Sequence, residues 1–267
     1  MSETTNSSTA TVILGGGIMG LSTAYFLSGS GNTDARSIHV VDSSAELFRC
    51  ASGLAAGFLA ADFITSGAWS PRVFSTLFPL STTRIPIFAL GGHSLLVRNP
   101  CYTVQDAGKE LCHAVFATDT LGFSPEWFAR TGGELYLTGL NQTAILLPDV
   151  ATEVKASDEA ISQLKACAKA MVAGVPANEV EVLREALCFR PVTSSGRPLV
   201  SRIPDEQLGG IKTRSGARGG VFVAAGHGAW GISHAPGTGL VLSELIEGRQ
   251  PSAKIEALGL PSGGPSC

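Results

Sequence analysis

Charge is scarce in this chain of 267 residues: Asp, Glu, Lys and Arg make up 15%, and they nearly cancel to a net of −3. With a sequence pI near 6.0, there is no basic surplus to hold nucleic acid or an acidic membrane. Cysteine is sparse too. Cys50, Cys101, Cys112, Cys167, Cys188 and Cys267 show no CxxC or other metal-type spacing, which argues against a structural zinc site or any other resident metal. A disulfide framework is not expected in a chain this long, so reduced thiols and a cytoplasmic location are the expectation. No apolar run is long enough to span a bilayer. Residues 12–27 come nearest to a leader. However, Glu3 is the only charged side chain before Asp34 and glycines interrupt the centre of the run, so no targeting segment is expected. The ending Pro265-Ser266-Cys267 is no peroxisomal address. Internal repeats and heptads are lacking, so the sequence is silent on oligomeric state.

Glycine, by contrast, is abundant, with 32 residues. Together with continuous apolar runs, it suits a compact α/β protein whose buried strands end in tight turns. Thr11-Val12-Ile13-Leu14 reads as such a strand. A helix follows, with Leu21, Ala24, Tyr25 and Leu27 at helical spacing, then a polar turn over 28–34 and a second strand, Ile38-His39-Val40-Val41-Asp42. Strand, glycine turn, helix, strand is a βαβ unit of the usual length.

Its turn, Gly15-Gly16-Gly17-Ile18-Met19-Gly20, fits G-x-G-x-x-G. Gly15 permits the sharp turn, Gly17 lets backbone approach a pyrophosphate, and Gly20 lets helix and strand pack closely. Phosphates would sit at the helix N-terminus, where open N–H groups and the helix dipole favour negative charge. Asp42 closes the second strand where a carboxylate takes ribose hydroxyls, which argues against a 2′-phosphate and so against NADP. The bland alternative is a glycine turn kept for steric reasons. The fingerprint alone does not choose between FAD and NAD.

Farther along, residues 62–70 read as a short strand, and the runs 85–90, 94–98 and 134–138 belong in an antiparallel sheet with a hairpin around Gly132-Gly133. Ser157 caps a helix that carries Asp158 and Glu159 in its first turn, buries Ile161, Leu164, Ala168 and Met171, and ends at Gly174. A second helix is expected over 177–187, after Pro176. A buried strand at 220–225 feeds a helix over 231–246 through a glycine-rich turn.

Five segments, in order, resemble the FAD-dependent D-amino-acid-oxidase and sarcosine-oxidase-like family. They are the fingerprint with its helix at 15–27; Cys50-Ala51-Ser52-Gly53-Leu54-Ala55-Ala56-Gly57; Ser66-Gly67-Ala68-Trp69-Ser70; Arg190-Pro191-Val192-Thr193-Ser194-Ser195-Gly196-Arg197-Pro198-Leu199; and Ala225-Gly226-His227-Gly228-Ala229-Trp230-Gly231-Ile232 with Ala235-Pro236-Gly237-Thr238-Gly239. The resemblance implies an α/β fold: a Rossmann-like FAD-binding domain with a parallel sheet, over 1–75 and 186–267, and a smaller antiparallel-sheet (α+β) substrate domain over 76–185. It implies FAD held by Gly15, Gly17, Ile18, Met19, Gly20, Asp42 and Ser43; by Ser52, Gly53, Ala56 and Gly57; by Gly67 and Trp69; and by Gly226, Gly228, Trp230, Gly231 and Ile232.

For catalysis the resemblance points to Arg190, as a clamp for a substrate carboxylate, and to His227, more as a backbone element of the flavin turn than as a base. Cys188 stands where some relatives attach flavin covalently, with a buried inert thiol as the alternative. The implied reaction passes hydride from a small amine or amino acid to flavin, hydrolyses the imine, and returns the electrons to oxygen as peroxide.

Two departures stand out. Ser194-Ser195 replaces the family's usual Asp before the glycine, and the second and third segments are almost adjacent. The chain therefore reads as lacking an internal block near Ala61, by deletion or mis-splicing, or as an unusually small relative. A non-catalytic FAD-binding remnant is the competing expectation, and an NAD-dependent dehydrogenase a more distant one.

Overall fold

The structure, a computed structural model, describes residues 10–48, 52, 68, 70–99, 113–118, 122–130, 133–149, 153–172, 180–213 and 219–261. The chain is mixed α/β and divides into two compact units. The first draws on Met1–Gly53, Leu59–Phe88 and Arg190–Cys267, and the second on Leu54–Phe58 and Ala89–Phe189.

In the first unit, β1 (Thr11–Leu14) and β2 (Ile38–Val41) pair in parallel, Thr11 opposite Ile38 through Leu14 opposite Val41. Helix α1 (Ile18–Gly29) joins them. Its buried stripe is Met19, Thr23 and Leu27, spaced by four residues on one face, and Thr23 Oγ1 donates to Met19 O at 2.9 Å. Tyr25, read from the sequence as part of the apolar face, is 72% exposed. Both strands alternate in burial, and on their open face Val12, Leu14 and Val41 are each half exposed or more.

Helix α2 (Ser70–Leu77) starts where the sequence suggested the end of a strand; of the expected strand at 62–70, only Ala68 and Ser70 lie within the described residues. Phe74 of α2 packs with Ile85 and Ile87 on one face of an antiparallel pair, supplied by Leu199, Ile203, Val223 and Ala225. The pair is β8 (Leu199–Ile203) with β9 (Val221–Ala225). Its other face, Val200 with Phe222 and Ala224, meets Val241, Leu242 and Leu245 of α4 (Gly231–Ile246). Period-two alternation thus buries both faces of this short sheet.

Helices α1 and α4 cross at Gly239, where a Cβ would fall 2.7 Å from the Ser22 carbonyl carbon, so only glycine allows this approach. Beyond the crossing, the buried Glu247 carboxylate accepts from Thr33 Oγ1 at 2.8 Å, from Ser30 Oγ, and from Arg249 Nε at 2.8 Å. Burial alone would raise this carboxyl; the hydrogen bonds from Ser30, Thr33, Arg249 and Asn32 outweigh it and hold the pKa below the usual range.

The second unit is a five-stranded sheet in the order β4-β5-β6-β3-β7, where β3 is Phe88–Arg98, β4 Ala114–Phe116, β5 Glu126–Ala129, β6 Glu134–Gln142 and β7 Glu181–Val192. The expected hairpin is present: β5 and β6 pair antiparallel, Ala129 opposite Leu135. Helix α3 (Asp158–Met171) covers one face, setting Ala160, Ile161, Leu164 and Cys167 on Leu95, Val97, Trp127 and Leu137. Ser157 caps it as expected, its Oγ accepting from Ala160 N–H at 3.4 Å, while Ser157 N–H donates to Nε2 of the buried His93 at 3.0 Å. The helix closes on Val172 rather than on Gly174, which lies outside the described residues.

The helix expected over 177–187 is corrected to a strand in its described part, since β7 runs from Glu181. Glu, Leu, Arg and Ala there favour helix locally, but hydrogen bonding to the neighbouring β3 overrides that preference. Among the described residues no helix is long and apolar enough to cross a membrane.

Candidate functional site

The fingerprint turn leaves β1 through Gly15, at φ +116°, whose N–H donates to Val41 O at 2.8 Å. Gly20 one turn later lies so close that a Cβ would meet Gly15 O at 2.1 Å and Ile13 Cγ2 at 3.0 Å. Strand and helix can meet here only without a side chain.

Gly17 is the N-cap of α1 and contributes no capping side chain, and the first turn holds no acidic residue. No acid of the helix's own first turn therefore competes for the positive end of its dipole. Ile18 N–H donates to Ser52 Oγ at 3.3 Å, which brings Ser52 of the second family-like segment onto this helix end. Met19 turns its side chain into the core, so only its backbone N–H is available to an anion. Asp42 organises the opposite wall: Oδ2 accepts from Gly16 N–H at 2.6 Å and Oδ1 from Ser44 N–H at 2.9 Å. Each oxygen keeps a lone pair for a ligand hydroxyl. Ser43 is exposed beside it.

The second half of the site is the turn between β9 and α4. Gly226 (φ +86°) and Gly228 (φ +57°) flank His227, and a single 3-10 turn, Gly228–Trp230, leads into Gly231. The end of α4 bears no side-chain cap and no acid in its first turn, and Ile232 stands there. His227 is only 3% exposed. Its Nε2 lies 3.1 Å from Thr238 Oγ1, one donor and one acceptor whichever tautomer holds. Its Nδ1 is buried with no hydrogen-bond partner.

Burial, and then the charge of His234, push the His227 pKa down to about 3, so the ring is neutral at physiological pH. Trp230 is partly exposed and stacks on His234, ring centroids 5.8 Å apart. Arg190 is buried on β7. The loop after that strand is braced by Thr193, whose Oγ1 donates to Arg197 O at 2.6 Å and whose methyl abuts Gly226.

The fingerprint, Ser52, the Arg190 segment and the His227 turn therefore all belong to the first unit, where α1 and α4 hold its two ends together. Gly53, Ala56, Gly57, Gly67 and Trp69 lie outside the described residues, as does the junction at Ala61. Thr238 and Thr193 were not singled out from the sequence. A threonine seven residues into α4, on its buried face, was the available signal for the first; for the second it was a threonine preceding a Ser-Ser-Gly turn. Cys188 is a buried thiol outside any disulfide. A cavity of about 300 Å³, lined by Val200, Ser201, Leu245, Pro251 and Ile255 among others, shares none of the site residues.

The residues present suit a flavin dinucleotide: two helix ends without acids, a carboxylate with spare lone pairs, and an unpartnered buried imidazole nitrogen.

The chain is similar to several known proteins. A provisionally named oxidoreductase of Schizosaccharomyces pombe is 29% identical over 197 residues, covering 73% of this chain and 44% of its own. The chain spans between 33% and 44% of the length of the curated relatives it matches. Among solved structures, glycine oxidase from Geobacillus kaustophilus superposes with a TM-score of 0.54 at 22% identity, over 75% of this chain and 45% of its own. L-proline dehydrogenase from P. horikoshii gives 0.58 at 12% identity, over 94% and 96%; at such identities these likenesses speak for the fold. The sequence model of FAD dependent oxidoreductases (DAO) matches residues 62–245, and the chain belongs to that family.

Proposed function

We propose that this chain binds FAD non-covalently and oxidises the C–N bond of an amino acid or secondary amine. The observation that carries this reading is the turn at His227: a buried, neutral imidazole with an unpartnered Nδ1, set ahead of an uncapped helix end in a DAO-family chain. FAD, when bound, supplies the hydride acceptor, leaving a substrate imine to hydrolyse and oxygen to leave as peroxide.

The chain's own residues supply binding and orientation. The N–H groups of the α1 N-terminus and Gly17 would receive the pyrophosphate, with Ser52 placed beside Ile18. Asp42 would take the ribose hydroxyls. The α4 N-terminus would favour negative charge on the ring edge, and neutral His227, fixed by Thr238, would offer Nδ1 without adding a charge. Arg190 would fix the substrate carboxylate. On this reading the first unit holds FAD, the sheet of the second serves the substrate, and the protein works in the cytoplasm. Purified protein incubated with a panel of amino acids and N-methyl amino acids tests the reading through peroxide release.

One observation favours a second reading, a non-catalytic FAD-binding remnant that lacks an internal block near Ala61. Val12, Leu14 and Val41 expose one face of the β1–β2 pair, and an apolar strand face of this kind is ordinarily covered. The family match beginning at residue 62 fits a break at that point. FAD binding without peroxide from any substrate would select this reading.

A further inference from the structure

Helix α3 lays Ala160, Ile161, Leu164, Cys167 and Ala168 on one face of the five-stranded sheet. Met171, its last residue, falls on the same stripe, three residues after Ala168 and four after Cys167, and the sequence predicts it buried with them. It is instead 40% exposed. Of the chain's three methionines, Met19 is 6% exposed and Met1 lies outside the described residues.

Though open to water, Met171 holds a definite contact. Its Sδ accepts from the indole N–H of Trp127 on β5 at 3.0 Å, and from the thiol of Cys167, one turn back, at 3.6 Å. Trp127 is buried, and a buried indole N–H needs an acceptor. Met171 thus ties the C-terminal end of α3 to the sheet through an acceptor of a weak kind. A thioether is also open to oxidation, which goes fastest where the side chain reaches solvent. At 3.0 Å there is no room for an oxygen atom between Sδ and the indole nitrogen. A sulfoxide must therefore turn its oxygen to water, leaving sulfur one lone pair for two donors, or withdraw its sulfur from β5. Either way the tie weakens.

We propose that Met171 is a site of oxidation by hydrogen peroxide, and that its sulfoxide loosens the last turn of α3 from Trp127. A sulfur lone pair attacks one peroxide oxygen and the O–O bond breaks. Sulfur gives up two electrons and keeps that oxygen, while the other leaves as water with both hydrogens. The site lies wholly in the second unit and does not depend on the flavin reading.

The test is graded hydrogen peroxide on the full chain, read by peptide mass mapping, tryptophan fluorescence and melting temperature. Met171 should gain an oxygen about tenfold faster than Met19, or more. With Met171 oxidised, the melting temperature should fall by about 2–4 °C and the tryptophan emission should change. Methionine sulfoxide reductases with dithiothreitol should restore both, and dithiothreitol alone should restore neither. M171L, similar in volume and without sulfur, should lose both responses when treated and untreated variant are compared. If M171L is too unstable for that comparison, the two wild-type repair arms decide alone. Met171 oxidised no faster than Met19 overturns the proposal, as does a Met171 sulfoxide that leaves melting and fluorescence unmoved. So does a response that persists in M171L or is reversed by dithiothreitol alone, since it then arises elsewhere, as at a cysteine thiol.

Discussion

Gly226 and Thr193 are in contact: a Cβ built on Gly226 would stand 2.7 Å from Thr193 Cγ2, at a backbone φ of +86°. Two family-like segments that are far apart in sequence meet at this point. Gly226→Ala strains the left-handed backbone and drives a methyl into Thr193, which itself is tied to Arg197 O. The expected loss is about 1–3 kcal/mol of stability, with FAD affinity falling further because the His227 turn shifts. Gly226→Ala/Thr193→Ser, which removes the threonine methyl, should recover part of the stability loss. A double-mutant cycle by denaturant unfolding measures that recovery.

Acid should weaken the protein from about pH 6.5 downward. His227 has its folded pKa depressed to about 3, whereas the unfolded ring titrates near its ordinary value of about 6.5. The unfolded state therefore takes up the proton first. The contribution of neutral His227 is fully present above pH ~6.5 and is lost progressively as pH falls toward 3, at up to roughly 1.4 kcal/mol per pH unit. His93, also lowered by burial, adds a term of the same sign. His227→Gln should flatten the profile of unfolding free energy between pH ~6.5 and 5; an unchanged slope would mean that the buried ring is already charged.

Below that window Glu247 takes over. Its carboxyl is held down by donors from the α1 end and from Arg249, so its stabilisation is present above the ordinary carboxylate pKa and fades as pH drops beneath it. Glu247→Gln keeps the shape and removes the charge. A loss of about 1–3 kcal/mol at neutral pH is expected, as for removing one charged partner from a buried hydrogen-bond group. Urea unfolding of the variant gives the value, and its penalty should shrink toward pH 4.

For Arg190, Arg190→Lys retains a positive charge and loses the bidentate fork. The proposed clamp predicts a rise in KM of about tenfold or more for carboxylate-bearing substrates, with the flavin spectrum and melting temperature little changed. A lowered melting temperature with unaltered KM would instead make Arg190 a purely structural part of β7.

The βαβ unit over 11–42 could be read directly, Tyr25 apart, because local signals and tertiary roles coincide there. Gly15 and Gly20 are required by a turn and a contact. Ser157 and helix α4 were equally plain, since caps and glycine turns leave local marks. Strand β7 was not, because Glu181 through Leu187 have helical propensities and only the neighbouring β3 makes them a strand. The pairing of His227 with Thr238 and of Gly226 with Thr193 is invisible for a similar reason. Both contacts depend on where a strand and a helix end in space.

The most direct measurement is the visible absorption spectrum of the purified protein after incubation with FAD and removal of the excess, taken before and after acid precipitation. A non-covalent FAD site predicts flavin bands that survive desalting and leave with the acid supernatant. Bands retained in the pellet would contradict the non-covalent mode and direct attention to Cys188. A colourless protein that takes up no FAD would contradict the central claim itself.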